Sequence, residues 1–391
     1  MNARERFNAI MSFEKPDRNF IWEMGYWRQT IERWYREGLP RKHGLPAEGD
    51  PGQGVRAEAF PHDPFSTSRF RDVDVHEHMG MDEPLMAVAV NSGPCPPFEQ
   101  IVFEETDNFV IFQDEFGVKK RINKKGASIP EFIDWQVKGR RDFEKLKEER
   151  FHPRLEERVP ENWHAIVEEY KTRDFPLTLG GYPYGLYGFL RYLMGEERLL
   201  FGFYDQPDLV RDMMNFLADF WIELWDQVLS LVRVDCAYFW EDMAYRSGPL
   251  ISPATFREFM MPAYKKMTGF LKDHGVTIIV VDTDGNVSQL IPLFLESGLT
   301  GMYPFEVQAG NDIVAVREQY PRMHLCGGID KLKISQGKEA IDRELESKIP
   351  FMLEKLGYIP HIDHLVHPDV CWEDFCYYRK RLKEMIDEAS C

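Results

Sequence analysis

Apolar runs that end in acidic residues recur along the second half of the chain. Residues 276–281 are six consecutive apolar or β-branched residues, and they end in Asp282-Thr283-Asp284-Gly285-Asn286. A short apolar run bounded by turn residues is typical of a strand buried on both faces, as in a parallel sheet. Similar runs at 237–240, 301–305 and 359–360 also end in acidic residues or histidines. Such residues at the carboxyl ends of strands are typical of the active face of a barrel enzyme.

Strand and helix patterns alternate through this region. Residues 207–232 repeat apolar pairs at a spacing close to 3.6 and begin with a proline, which predicts a long helix. Counted from residue 20, roughly eight predicted strands precede helices. Such alternation gives either an open doubly wound sheet or a closed barrel. The glycine-rich phosphate turn that favours the open sheet is missing from the sequence. The pattern therefore predicts an α/β fold of the TIM (β/α)8 barrel type.

A different pattern interrupts this alternation earlier in the chain. Runs at 98–106, 109–114 and 118–122 alternate, or nearly alternate, apolar and polar residues and are separated by turn residues. They predict an antiparallel meander. We expect a single domain, 1–391, with a β-rich insertion at 85–130 beside or over the barrel mouth. An N-terminal extension would begin with an amphipathic helix at 1–14.

Composition narrows the class of partner. The net charge is −17 and no basic run exceeds three residues, so nucleic acid and anionic membrane surfaces are excluded as partners. The sequence has no apolar stretch of the length that crosses a membrane, about 18–20 residues. Its N-terminus is too charged for a signal peptide. Six cysteines without a CxxC pair indicate reduced thiols rather than a thiolate zinc knuckle. A cytoplasmic protein is expected.

Several motifs, taken in order, resemble the uroporphyrinogen decarboxylase superfamily, and together they extend over nearly the whole chain. They are RERFNAIMSFEKPDR at 4–18, GPLISP at 248–253, DGN at 284–286, GGIDK at 327–331 and the pair Asp363-His364. The superfamily fold is a TIM barrel, which agrees with the pattern above. Besides the decarboxylase, the superfamily contains zinc methyltransferases that serve corrinoid proteins. The sequence is closest to that methyltransferase branch.

The resemblance implies a metal site with changed ligands. The zinc methyltransferases carry His-x-Cys-Gly after the fifth strand and a later cysteine after the eighth. The positions here that match these ligands are Asp282, Asp284 and His364. Oxygen ligands with one imidazole bind zinc more weakly and less selectively, and also accept other divalent metals. Zinc is the metal that the resemblance implies, and another divalent metal stays open for this set of ligands.

The decarboxylase itself matches less well. Its first strand leads into an arginine-rich segment that binds propionate groups, whereas the matching segment here, 22–29, keeps only Arg28 and adds Glu23. A strongly anionic porphyrinogen would then meet carboxylates at the mouth. The interpretation as a porphyrinogen decarboxylase is rejected on this electrostatic ground.

The resemblance instead implies a methyltransferase that moves a methyl group between a small methylated compound and a corrinoid protein. The donor would be a methoxy-aromatic compound, methanol or a methylamine, so O-demethylation is one expected reaction. The segment 74–80 nearly matches a cobalamin-binding motif, but its glycine is one place late. The corrinoid would thus arrive on a separate protein. A homodimer would be typical of the family.

The proposed roles divide the residues at the strand ends into three groups. Glu241, Glu306 and Asp284 are candidates for acid–base catalysis, and Asp282, Asp284 and His364 for metal ligands or proton carriers. The aromatic candidates for substrate binding are Trp22, Tyr182, Tyr184 and Trp240. The alternative for the aspartates is a turn or a helix cap, and for His361 a place in the barrel wall.

Two further functions stay open from the sequence. One is a decarboxylase or lyase that acts on a small cyclic carboxylate. The other is a barrel that has lost catalysis and serves as a binding subunit. A methyltransferase requires acidic or metal-binding groups that meet at one rim of the barrel, so the position of Asp282, Asp284 and His364 decides between these functions.

Overall fold

The computed structural model describes residues 1–44, 73–124 and 130–390. Its strands are short, and most of them are parallel. In chain order they are β1 (Met86–Ala87), β2 (Ile101–Glu105), β3 (Phe109–Gln113), β4 (Lys119–Asn123), β5 (Glu131–Asp134), β6 (Leu177–Gly181), β7 (Cys236–Trp240), β8 (Ala244–Tyr245), β9 (Gly248–Pro249), β10 (Ile279–Asp282), β11 (Gly301–Tyr303), β12 (His324–Cys326) and β13 (Tyr358–Ile359).

Seven of these strands form one curled parallel sheet in the order β1-β6-β7-β10-β11-β12-β13. The order of the strands in the sheet is also their order along the chain. The connections between successive strands contain the helices, which lie on the outside of the barrel. This arrangement confirms the predicted TIM barrel. Because successive side chains of a strand alternate between its faces, residues two apart point together into the barrel or out toward the helices.

The eighth position of the barrel is taken by an extended segment rather than a regular strand. The first of the eight predicted strands lies at 20–24, but two of the hydrogen bonds of this segment involve carboxylates. Ile21 donates its amide to Asp82 Oδ2 at 2.7 Å and accepts from the Asp82 amide at 2.9 Å. Glu23 Oε2 accepts from the amide of Ile362 at 3.1 Å. Side-chain oxygens therefore satisfy amides that a backbone ladder would otherwise pair.

The helices cover the outside of the barrel, and their apolar faces form its outer core. The predicted helix at 207–232 is observed as Pro207–Leu229, with its repeating apolar residues buried. The other helices are Ala3–Met11, Arg28–Glu37, Val73–Met79, Arg140–Arg150, Trp163–Thr172, Leu186–Met194, Glu196–Asp205, Pro253–Thr255, Met261–Asp273, Ile291–Glu296, Ile313–Gln319, Lys331–Ile334, Lys338–Lys355 and Trp372–Ser390, with a π-helical turn at Phe256–Met260. No helix among the described residues is long and apolar enough to cross a membrane.

The N-terminal helix closes the end of the barrel opposite the strand carboxyl ends. Within Ala3–Met11, Arg4 donates to Asp235 at 2.8 Å, directly before β7 begins. Phe7 and Met11 line an apolar cavity of about 50 Å³ inside the barrel. This floor leaves the carboxyl ends of the strands as the open side.

The predicted meander is present as a separate antiparallel sheet in the order β2-β3-β4-β5. Its limits differ from the predicted insertion at 85–130. Met86–Ala87 pairs in parallel with β6 and so belongs to the barrel, and the antiparallel sheet continues to Asp134. The sequence did not distinguish the two because β1 has only two paired residues.

Candidate active site

Three ion pairs lie at the carboxyl ends of the barrel strands. In each pair a carboxylate follows a strand of the parallel sheet and meets a cation from another segment. The pairs are Arg191–Asp242 at 2.7 Å, His364–Asp284 at 3.2 Å and Lys331–Glu306 at 2.9 Å. All six side chains are between 21% and 32% exposed, so a ligand at the mouth can reach them. This row of ion pairs is the candidate active site.

The two aspartates at the carboxyl end of β10, Asp282 and Asp284, have different surroundings. Asp282 is buried inside the barrel, and the hydroxyl of Tyr238 donates to its Oδ2. Burial and the negative charge of Asp284 raise the pKa of Asp282 well above its usual range. Asp284 lies higher, at the mouth, where burial would raise its pKa but the positive charge of His364 holds that pKa below its usual range. The two carboxyl groups are therefore driven toward opposite protonation states.

His364 is a cation at neutral pH. Burial alone would lower the pKa of its imidazole, but the charge and the hydrogen bond of Asp284 raise that pKa to about 9. Asp284 Oδ2 faces Nε2 of His364, while Asp284 Oδ1 is buried and has no hydrogen-bond partner among the described residues. A protonated donor and an unused acceptor thus lie side by side at the mouth.

Glu306 is held in place by two donors. Lys331 Nζ donates to its Oε1 at 2.9 Å, and the amide of Gly285 donates to its Oε2 at 3.0 Å. The backbone of Lys331 is fixed in turn, because its amide donates to Asp363 Oδ1 at 3.1 Å. Glu306 is therefore a neighbour of Asp284 at the mouth, as predicted, but in the form of an ion pair.

Glu241 has a different place from the one its sequence position suggests. It is fully buried, and its two carboxylate oxygens accept from the amides of Leu186 at 2.8 Å and Gly188 at 2.7 Å and from the hydroxyl of Tyr264. These amides belong to the first turn of the helix Leu186–Met194, so Glu241 caps that helix. Burial raises its pKa to about 7. With its oxygens engaged, Glu241 has a structural role here.

The predicted aromatic residues divide between the mouth and the core. Tyr182 and Trp240 are both partly exposed and pack edge to face, with ring centroids 4.7 Å apart, and Arg191 lies 4.8 Å from the Trp240 ring. We call Tyr182 and Trp240 the aromatic wall. Tyr184 is buried below it, and Trp22 packs against the imidazole of His361 at 4.9 Å. The wall adjoins the row of ion pairs through Arg191.

Four residues of the site were not predicted from the sequence. Asp242 follows Glu241 directly, and Lys331 belongs to the GGIDK motif, so both carried a signal. Tyr238 lies in the apolar run that forms β7, two residues before its end. Arg191 lies inside an apolar helix, and nothing in its local sequence relates it to Asp242 51 residues later.

The expected zinc ligands do not fit a metal as they are placed. Zinc requires three or four protein atoms at about 2.0–2.3 Å from one point. Here Asp284 and His364 bind each other, and Asp282 accepts from Tyr238. Within 1–44, 73–124 and 130–390, no three His, Cys, Asp or Glu side chains are grouped so that they could hold a metal ion. The expectation of zinc stays a prediction.

Comparisons with known proteins place this geometry in context. The family model described as uroporphyrinogen decarboxylase (URO-D) matches residues 108–384. A solved structure, a methyltransferase from Methanosarcina mazei, has a TM-score of 0.57 and 15% sequence identity, and the alignment covers 99% of each chain. At that identity the likeness concerns the fold. A search of curated proteins finds no match.

Proposed function

The chain belongs to the uroporphyrinogen decarboxylase family, and we propose that within this family it is a methyltransferase that removes a methyl group from a small methyl ether or methylamine. The methyl acceptor would be a corrinoid carried by a separate protein. The proposal is supported by the similarity to a methyltransferase fold and, above all, by the His364–Asp284 ion pair at the mouth.

The ion pair supplies what methyl ether cleavage requires. The carbon–oxygen bond breaks as the methyl carbon moves to its acceptor, and the oxygen leaves with the bonding electrons as an alkoxide or phenoxide. Protonation of that oxygen lowers the barrier. Because Asp284 holds Nε2 of His364, the proton on the other ring nitrogen, Nδ1, would be given to the leaving oxygen, which departs as an alcohol or phenol. Asp284 orients the imidazole and keeps it protonated near neutral pH.

The charge balance of the mouth disfavours an anionic donor. Each of the three cations there, Arg191, His364 and Lys331, already has a carboxylate partner. A substrate with several carboxylates would have to displace those partners and then face them. A neutral methyl ether or a methylamine carries no such cost. The aromatic wall next to Arg191 offers an apolar surface for a ring.

His364 can be tested with a matched histidine as control. The purified protein would be mixed with 2-methoxyphenol and reduced cobalt(I) corrin, and methyl–cobalt formation followed by absorbance. We expect His364→Gln to lower the rate about 100-fold, the usual contribution of a general acid. His367→Gln changes an exposed residue that pairs with Asp369, and should leave the rate unchanged.

Two results would contradict the proposal. One is the absence of corrin methylation by the wild-type protein with methoxy-aromatic, methanol and methylamine donors. The other is an equal rate for His364→Gln and wild type. Release of CO₂ from a small cyclic carboxylate would favour the decarboxylase alternative instead.

A further inference from the structure

A buried lysine of the inserted sheet is connected to the aromatic wall of the mouth. Lys120 in β4 is 7% exposed, and its Nζ lies 2.5 Å from Asp114 Oδ2 and donates to the hydroxyl of Tyr192. The ammonium also lies 5.1 Å from the ring centroid of Phe132 and 4.6 Å from that of Tyr192. The lysine is therefore enclosed by the carboxylate of Asp114, the phenol of Tyr192 and the ring of Phe132.

The connection continues from Tyr192 to the mouth. The hydroxyl of Tyr182 donates to the hydroxyl oxygen of Tyr192 at 2.9 Å, and the two rings meet edge to face with centroids 5.8 Å apart. Tyr182 also packs edge to face on Trp240, with an angle of 72° between the two ring planes. Asp114, Lys120, Tyr192 and Tyr182 form one continuous series of polar contacts that we call the tyrosine relay.

Physical chemistry makes this relay rigid at its inner end. A buried ammonium is costly unless it is paired and hydrogen-bonded, so Lys120 has few alternative positions. Asp114 is itself fixed, because its Oδ1 accepts from the amides of Phe116 at 3.0 Å and Val118 at 2.8 Å. The hydroxyl of Tyr192 is consequently held from one side, and it holds Tyr182 from the other.

We propose that Lys120 is a positioning residue: through Tyr192 it sets the orientation of Tyr182 and so shapes the aromatic wall for a ring-bearing methyl donor. The inserted sheet would then determine the donor class, favouring methoxy-aromatic compounds over methanol. The choice of donor rests on the proposed function, whereas the orientation of Tyr182 does not.

Two variants break the relay without leaving a buried charge unpaired. Tyr192→Phe removes only the shared hydroxyl. The double variant Asp114→Asn with Lys120→Met removes both charges. The side-chain oxygen of the asparagine can still accept from the amides of Phe116 and Val118. The control is Tyr187→Phe on the same helix, because the Tyr187 hydroxyl is buried and has no hydrogen-bond partner among the described residues.

The readouts are crystal structures of the variants and the affinity for 2-methoxyphenol measured by calorimetry. In Tyr192→Phe and in the double variant we expect Tyr182 to turn away from Trp240 and binding to weaken about five-fold, the value of one hydrogen bond. Tyr187→Phe should retain both the wall and the affinity. Turnover of methanol, which has no ring, should be unaffected in all variants, a split that general destabilisation would not produce.

The outcomes separate the two proposals. A Tyr182 that keeps its contact with Trp240 in both relay variants would overturn the positioning role of Lys120, whatever the activity. A displaced Tyr182 with unchanged affinity for 2-methoxyphenol would overturn the donor-selecting role. Failure of the wild-type protein to bind 2-methoxyphenol would contradict that donor class, and the crystal structures would still decide the role of Lys120.

Discussion

The ends of β7 and β10 carry similar sequences but different chemistry. Glu241-Asp242 and Asp282-Thr283-Asp284 both lie at the carboxyl ends of apolar parallel strands that are adjacent in the barrel. Glu241 is fully buried against the amides of Leu186 and Gly188, whereas Asp284 faces the mouth and pairs with His364. A carboxylate at a strand end can therefore support the fold or serve the site.

Glycines explain which of the two outcomes occurs. At Gly185 a side chain would place a Cβ 2.0 Å from the carbonyl oxygen of Trp240, and at Gly188 it would lie 2.3 Å from the same atom. Their absence of a side chain lets the helix Leu186–Met194 begin directly against the end of β7, where its amides reach Glu241. After β10, Gly285 turns the chain at φ +78° and leaves Asp284 at the rim.

The largest effect we predict comes from Glu241→Ala. Loss of the carboxylate would leave two buried amides and a phenol without their acceptor and would open a cavity. We expect the free energy of unfolding to fall by about 3–5 kcal/mol, measured by urea denaturation. Asp284→Ala, which breaks a partly exposed ion pair, should cost only about 2 kcal/mol.

Two results would contradict this expected difference between the two strand ends. If Glu241→Ala and Asp284→Ala lower the free energy of unfolding equally, the two strand ends contribute equally to stability. A stable Glu241→Ala protein that lost methyl transfer would return Glu241 to the catalytic role that the sequence suggested.

Much of the barrel could be predicted because helices and strands with a buried face show a regular pattern of apolar residues in the sequence. The apolar pairs of Pro207–Leu229 and the apolar run that forms β10 are local patterns, and local patterns survive in the sequence. The segment at 20–24 was harder to predict, because the Ile21 amide donates to Asp82 and the Glu23 carboxylate accepts from Ile362. These partners lie 61 and 339 residues away, and no local pattern reports them.

The candidate site was predictable only in part for the same reason. Asp282, Asp284 and His364 follow strands that the pattern revealed, and the structure brings Asp284 and His364 together. The role of Glu241 depends on a helix that begins 55 residues earlier and closes on it in three dimensions. Arg191 joins the site for the equivalent reason, through Asp242. A sequence reports which residues end a strand, but not which cation or amide meets them.

The second prediction uses the pH dependence of stability to distinguish the contribution of Glu241 from that of His364. The folded pKa of Glu241 is raised to about 7, so its contribution to stability is present below its ordinary 4.5 and is lost as pH rises through 7. The folded pKa of His364 is raised to about 9, so its contribution is complete below 6.5 and is lost as pH rises through 9. The two losses occupy different pH ranges.

His364→Gln should therefore remove the loss of stability between pH 6.5 and 9 and leave the loss between pH 4.5 and 7 in place. We expect the removed part to be about 2 kcal/mol after allowance for the exposure of the pair. Urea midpoints at a series of pH values, with His367→Gln as control, provide the measurement. An unchanged alkaline slope in His364→Gln would show that the Asp284 pair does not stabilise the fold.

The smallest effect concerns the links between neighbouring ion pairs of the mouth. The positive charge of Lys331 lowers the pKa of His364, and the negative charge of Glu306 raises it. In Lys331→Met the positive charge is removed, so the pKa of His364 should rise above about 9. The change should be worth less than about 1 kcal/mol, as for other partly exposed charges. NMR titration of the histidine ring measures it, and Lys333→Met on the same short helix is the control. If the pKa of His364 moves equally in both variants, the shift reflects the net charge of the protein and not the neighbouring ion pair. The three ion pairs of the mouth would then be electrostatically independent of one another, as Glu241 is of them.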